Sequence, residues 1–211
     1  MQDILRVTWR VTPLQCPLVW RHCSRCKLSM PFRCSMKFRT NAQKKRIDAW
    51  LIYRCDGCSE TWNLPILERA AIGDIPSSQF QALARNDRAL AMRHAFDWQR
   101  LARHSDHVED SSEITVEKAV PNGCSRDAAI IEISLVLAVP CQWRLDRFLA
   151  RELGLTRSRL ATLHEDGVLR VAPARQAMRS PLADGQSITI DLHGEAIHLD
   201  LVAVIRRKAL D

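Results

Sequence analysis

The chain has 211 residues, 46% hydrophobic and 26% charged; this excludes a mostly disordered or collagen-like chain and fits one large or two small domains of about 100–200 residues. Its longest apolar run, 130–140, is broken by Glu132 and Ser134, and a membrane-spanning helix needs about 20 apolar residues, so no membrane role is expected. The net charge is +7, which points to an anionic partner.

The opening residues, MQDILRVTWRV, lack a basic segment followed by an apolar one. No export signal is therefore expected, and the chain reads as cytoplasmic. Three parts follow in chain order, and the expected fold class is α+β. Residues 1–69 are β-rich and form a zinc-ribbon module. Residues 70–113 hold a helical segment and an acidic linker, with His104–Glu113 as the best linker candidate. Residues 114–211 read as strands, two short helices and further strands.

In the first part, Cys23-x-x-Cys26 is followed by Cys55-x-x-Cys58. Two residues between cysteines let one tight turn aim both thiolates at one ion, and two such turns complete the four-thiolate set that zinc prefers. The intervening chain explains itself. Phe32, Cys34, Met36 and Phe38 alternate with polar residues as in a strand, TNAQKK is a polar turn, and Ile47, Ala49, Leu51 and Tyr53 alternate on the return. The hairpin brings the second pair back to the first. With all four positions taken by thiolate, the expected Zn2+ is structural. Cys34 lies on the apolar face and reads as core. Cys16, His22, Cys124 and Cys141 lack paired spacing.

The same segment carries the charge. Arg21–Arg46 contains nine basic residues and no acidic one. Arg33, Lys37 and Arg39 alternate with the apolar set, and Lys44, Lys45 and Arg46 crowd the turn, so a basic stripe suited to a phosphate backbone is expected.

The stretch KFRTNAQKKRIDAWLIYRCDGCSETWNLPILER, with Asn86-Asp87 and Ala95-Phe96-Asp97 downstream, resembles a bacterial family known as domain of unknown function 1062. That resemblance implies no activity.

Further on, RLDRFLARELGLTRSRLATLHEDGVLRV, residues 144–171, is similar to the RNA-binding domain named after ribosomal small-subunit protein four. The match runs through Arg144-Leu145-Asp146, Leu149, Gly154-Leu155, Arg157-Ser158-Arg159 and Gly167-Val168. It implies a C-terminal module of two packed helices and a small sheet, with RNA on the helical face. The pattern alone places Leu145, Phe148, Leu149 and Leu153 on a buried stripe and Arg144, Arg147 and Arg151 on another face. Arg157 and Arg159 open the second helix, where backbone N–H groups favour phosphate.

No phosphate loop, nucleophile elbow, dinucleotide fingerprint or His-Glu-x-x-His is present, so a non-enzymatic role is expected, with an RNA-modifying enzyme as a third reading. The sequence reads as a zinc-stabilised RNA-binding protein acting on structured rRNA or tRNA. The alternative is a protein-interaction scaffold that uses zinc only to hold its docking surface.

Overall fold

The computed structural model describes residues 4–110, 113–120, 128–173 and 177–193. Its strands are β1 (Ile4–Pro13), β2 (Leu18–His22), β3 (Ser29–Gln43), β4 (Arg46–Cys55), β5 (Thr61–Ala71), β6 (His107–Glu109), β7 (Ile114–Ala119), β8 (Ile130–Leu137), β9 (Leu169–Ala172) and β10 (Ser187–Asp191). The helices are α1 (Ser77–Ala84), α2 (Arg88–Ala95), α3 (Trp98–Arg103), α4 (Leu145–Leu153) and α5 (Arg157–Glu165). The strands form two five-stranded sheets, and the chain divides into two units: Met1–Pro13 with Ile114–Asp211, and Leu14–Glu113.

In the Leu14–Glu113 unit the sheet order is β5-β4-β3-β2-β6, with every pairing antiparallel. β4 shows why the sheet forms: Ile47, Ala49, Leu51, Tyr53 and Cys55 are buried and their neighbours are not, the period-two signature of a one-sided strand. Leu83 of α1 and Leu90 of α2 pack on Ala49, with Phe38, Ile66 and Leu67 around them. Local hydrogen bonds set the helix boundaries. The Asp87 carboxylate accepts from Leu90 N–H at 2.9 Å and caps α2, and Asp97 does the same for α3 through Arg100 N–H at 3.0 Å. Asn86, left-handed at φ 56°, turns the chain between α1 and α2 and accepts from Phe38 N–H at 2.6 Å. His107–Glu109, inside the segment read as a linker, is instead the edge strand β6, and Trp20 Nε1–H donates to Glu109 at 3.0 Å.

The other unit has the order β7-β1-β8-β10-β9, with β1 and β8 parallel and the remaining pairs antiparallel. Leu5, Val7, Trp9 and Val11 of β1 and Ile131, Ile133 and Leu135 of β8 give the sheet a continuous apolar face. Leu145, Phe148, Leu149 and Leu153 of α4 and Leu160 and Leu163 of α5 join that core. The Phe148 ring meets Trp9 edge-on at 5.8 Å. Gly154, at φ 68°, ends α4 in the left-handed conformation that glycine adopts without strain.

This architecture corrects the expected fold class. The protein is mainly β, built on two five-stranded sheets, and among the described residues no separate two-helix module with its own small sheet is present. The reason is burial. The apolar stripe of α4 is matched by the side chains of β1, from the other end of the chain, so β8, β9 and β10 cannot close a core without it. For the same reason Ile4–Pro13 belongs to this sheet, not to the cysteine-bearing unit.

Candidate metal centre

Two short turns of matching construction carry the four cysteines. In the first, Cys23 N–H donates to Leu28 O at 2.8 Å, Lys27 N–H donates back to Cys23 O at 2.9 Å, and Lys27 is left-handed at φ 62°. In the second, Cys55 N–H donates to Glu60 O at 2.9 Å, Ser59 N–H donates to Cys55 O at 2.9 Å, and Ser59 has φ 60°. The same offsets recur residue for residue. The sheet brings the turns together: Phe32 pairs with Cys55, and Asp56 N–H donates to Pro31 O at 3.0 Å.

The four Sγ atoms lie within 4.8 Å of one another, so Cys23, Cys26, Cys55 and Cys58 could hold a metal ion. Cys23 and Cys58 sulfurs are 3.5 Å apart and those of Cys26 and Cys55 3.9 Å. With metal–sulfur bonds of about 2.3 Å, the edge of a tetrahedron is about 3.8 Å, so the donor set fits a small tetrahedral ion. A disulfide needs about 2.05 Å, and Cys23, Cys26, Cys55 and Cys58 are not bridged to one another. The Cys26 amide donates to Cys23 Sγ at 3.4 Å and holds that thiol down at about 7 against the opposing effect of burial. Cys26 is pushed up to about 12, chiefly by the Cys58 sulfur. Sulfurs this crowded cannot all be thiolate without a cation among them. Gly57 keeps the second turn tight: a Cβ there would stand 2.7 Å from Met30 Cε and 3.4 Å from Cys26 Sγ.

The cations of the expected stripe are placed unequally. Arg33, Lys37, Arg39, Lys44, Lys45 and Arg46 are all exposed. Arg33 is held by Asp56, its Nε 2.8 Å and 2.9 Å from the two carboxylate oxygens. Lys37 sits in a bulge, because β3 slips register against β4 between Cys34 and Phe38. Arg39 pairs across the strands with half-buried Trp50. Lys44 and Lys45 form the two-residue hairpin turn, both left-handed, at φ 49° and 62°. Arg46 donates to Arg69 O at 2.7 Å. Among the described residues no carboxylate lies within ion-pair distance of Lys37, Arg39, Lys44 or Lys45. Arg21, in the same acid-free run, stacks on Trp62 at 4.3 Å.

In the other unit the arginines are largely engaged. Arg144 pairs with Asp146 at 2.6 Å and Arg151 with Glu152 at 2.8 Å, while Arg147 and Arg151 stack on Trp143 at 5.0 Å and 4.8 Å. Burial pushes the Asp146 carboxyl up, but Arg144, the Arg147 amide and Arg157 outweigh it and hold the group below its ordinary value. Arg157 joins Arg144, Arg179 and Asp146 around a cavity of about 550 Å³, and Arg159 is exposed on α5.

Sequence reading missed a sulfur cluster. Cys16 and Cys34 meet Met36 and Met92, through contacts with no local spacing to announce them. Cys124 lies outside the described residues. Among those residues no helix is long and apolar enough to cross a membrane.

No curated protein and no solved structure matches the chain. A family model does match, over residues 40–175, which take in the hairpin turn, the second cysteine pair, Asn86, Asp87 and Asp97, and both helices α4 and α5. The chain therefore belongs to the family described as "Protein of unknown function (DUF1062)".

Proposed function

We propose that this is a zinc-stabilised RNA-binding protein that grips structured RNA, of the rRNA or tRNA kind, with the β3–β4 hairpin. The zinc reading rests on donor chemistry. Four thiolates at tetrahedral spacing leave no coordination position open, which is the arrangement of a structural zinc rather than a catalytic one. Cysteines kept as free thiols suit a reducing compartment such as the cytoplasm.

One observation carries the RNA reading: Lys44 and Lys45 occupy both left-handed positions of the hairpin turn. Turns of this shape favour Asn-Gly, and a side chain in that conformation costs roughly 1–2 kcal/mol per residue. Two lysines held there at a cost, without carboxylate partners among the described residues, serve a purpose other than stability. Arg39 and the Trp50 ring behind them add a phosphate contact and a stacking surface.

The test is filter binding of total cellular RNA to the purified protein across a salt series. Each phosphate contact contributes about 0.7–0.9 to the log–log salt slope. Lys44→Asn with Lys45→Gly should weaken binding and flatten the slope by about two contacts. A wild-type protein with no salt-sensitive RNA binding refutes the reading and favours the scaffold.

A further inference from the structure

We propose that the bulge in β3 builds a second metal site, specific for copper(I), from the Cys16 and Cys34 thiolates and the Met36 and Met92 thioethers. The sulfurs converge from three places: Cys16 precedes β2, Cys34 borders the bulge with Met36 inside it, and Met92 lies on α2. Cys16 Sγ is 3.5 Å from Met36 Sδ and 3.7 Å from Met92 Sδ, and Cys34 Sγ is 3.7 Å from Met36 Sδ. Both thiols line the same cavity. These separations match those of the four-cysteine cluster and the tetrahedral edge of about 3.8 Å.

The bulge is built, not loose. Met36 is left-handed at φ 59°, a conformation an unbranched side chain adopts at a cost, and that turn sets its sulfur beside both thiols. The Ser35 hydroxyl donates to Ile52 O at 2.8 Å and accepts from Lys37 N–H at 3.3 Å, while Asn86 holds Phe38 N–H on the far side. Bulges of this kind re-aim side chains beside functional sites.

Three features separate the cluster from ordinary core sulfur. All four residues are only half-buried, and they line a cavity of about 210 Å³ whose wall includes Arg33 and Arg88. The Tyr53 hydroxyl behind them is fully buried, has no partner at normal hydrogen-bond geometry, and faces the Cys34 sulfur; it would donate a hydrogen bond to a metal-bound thiolate there, as outer-shell donors do for metal ligands. Two thiolates around a monovalent ion leave one negative charge, and the Arg88 guanidinium stands beside Cys16 to offset it. The donor set then decides the ion. Mixed thiolate and thioether sulfur selects copper(I), whereas zinc takes thiolate, imidazole and carboxylate. No ligand is shared with the Cys23–Cys58 cluster.

The test is an anaerobic titration of the full-length, zinc-loaded protein with copper(I) against a chromogenic copper(I) chelator, with zinc measured in parallel. One copper(I) should bind per chain with zinc retained. Met36→Leu and Met92→Leu keep side-chain volume and should each weaken copper binding by more than about tenfold without altering zinc content. Cys34→Ser should weaken it further, and a copper-edge X-ray absorption spectrum should show a sulfur-only shell that loses amplitude in the methionine variants. The proposal fails if no copper binds, if copper binds only as zinc leaves, or if both methionine variants bind copper as tightly as wild type.

Discussion

Lys118 and Glu152 form a buried ion pair, Nζ 2.9 Å from the carboxylate, with the lysine side chain wholly enclosed and the glutamate 3% exposed. The ammonium also lies 4.2 Å over the Trp9 ring, and Arg151 supplies the carboxylate with a second cation at 2.8 Å. The pair ties β7 to α4 across the core. Removing one partner of such a pair costs about 3–5 kcal/mol, because the other is left charged and buried. Glu152→Leu should therefore be strongly destabilising in urea unfolding. Lys118→Met should cost less, since Arg151 still neutralises Glu152. The double variant should recover most of the loss.

The same pair fixes the sign of a pH effect. Burial raises the Glu152 carboxyl, but Lys118 and then Arg151 outweigh it, so its folded value lies below the model-peptide 4.5. A carboxylate depressed on folding stabilises above its unfolded pKa, and that contribution is lost as pH falls through the folded value. Wild type should thus lose stability below pH 4.5, and the Lys118→Met/Glu152→Leu protein should show a shallower loss over that range.

Cys55→Ser removes one of the four sulfurs that could hold a metal ion, at 2% exposure. It should abolish stoichiometric metal by elemental analysis and unfold the Leu14–Glu113 unit, since structural zinc contributes on the order of 10–16 kcal/mol in small peptides. Gly57→Ala should have a milder effect, because the new methyl meets the flexible end of Met30 first. Weaker retention of metal against a chelator, with normal stoichiometry when loaded, is the expected reading.

Lys44→Asn with Lys45→Gly should raise stability by roughly 1–2 kcal/mol in total while it lowers affinity for RNA. A rise in unfolding midpoint together with lost binding is a combination that a purely structural turn does not produce.

His94 gives a separate pH signature. Its ring is held neutral by burial, then by Arg100 and Arg93, with its value lowered from 6.5 to about 4. The unfolded chain binds the proton more readily in that window, so stability falls as pH drops from 6.5 toward about 4. His94→Gln should flatten this part of the profile relative to wild type in chemical unfolding at about pH 7 and pH 5.

What the sequence determined by itself is what short spacing can encode. The two Cys-x-x-Cys pairs announce a ligand set because each pair is one turn long, and the sheet then brings the pairs together. The alternation in β4 announces a one-sided strand for the same local reason. The family resemblance of the Lys37–Arg69 stretch is confirmed, although the residues quoted for it downstream proved to be helix caps and a strap on the β3 bulge.

Tertiary structure decided the rest. That β1 lies parallel to β8, more than a hundred residues away, cannot be read from either segment, because both are simple apolar strands whose partner is set by which faces remain uncovered. That pairing removed the separate C-terminal module. The electrostatics were non-local in part. Arg33 reads as a free cation in sequence, yet the sheet brings Asp56 to 2.8 Å from it, whereas Arg144 and Arg151 are engaged by their near neighbours Asp146 and Glu152, which the sequence already offers. Lys44 and Lys45 stand exposed because they form the hairpin turn at the end of β3 and β4. Cys16, Cys34, Met36 and Met92 become one cluster only because a bulge turns β3 aside and α2 packs against it.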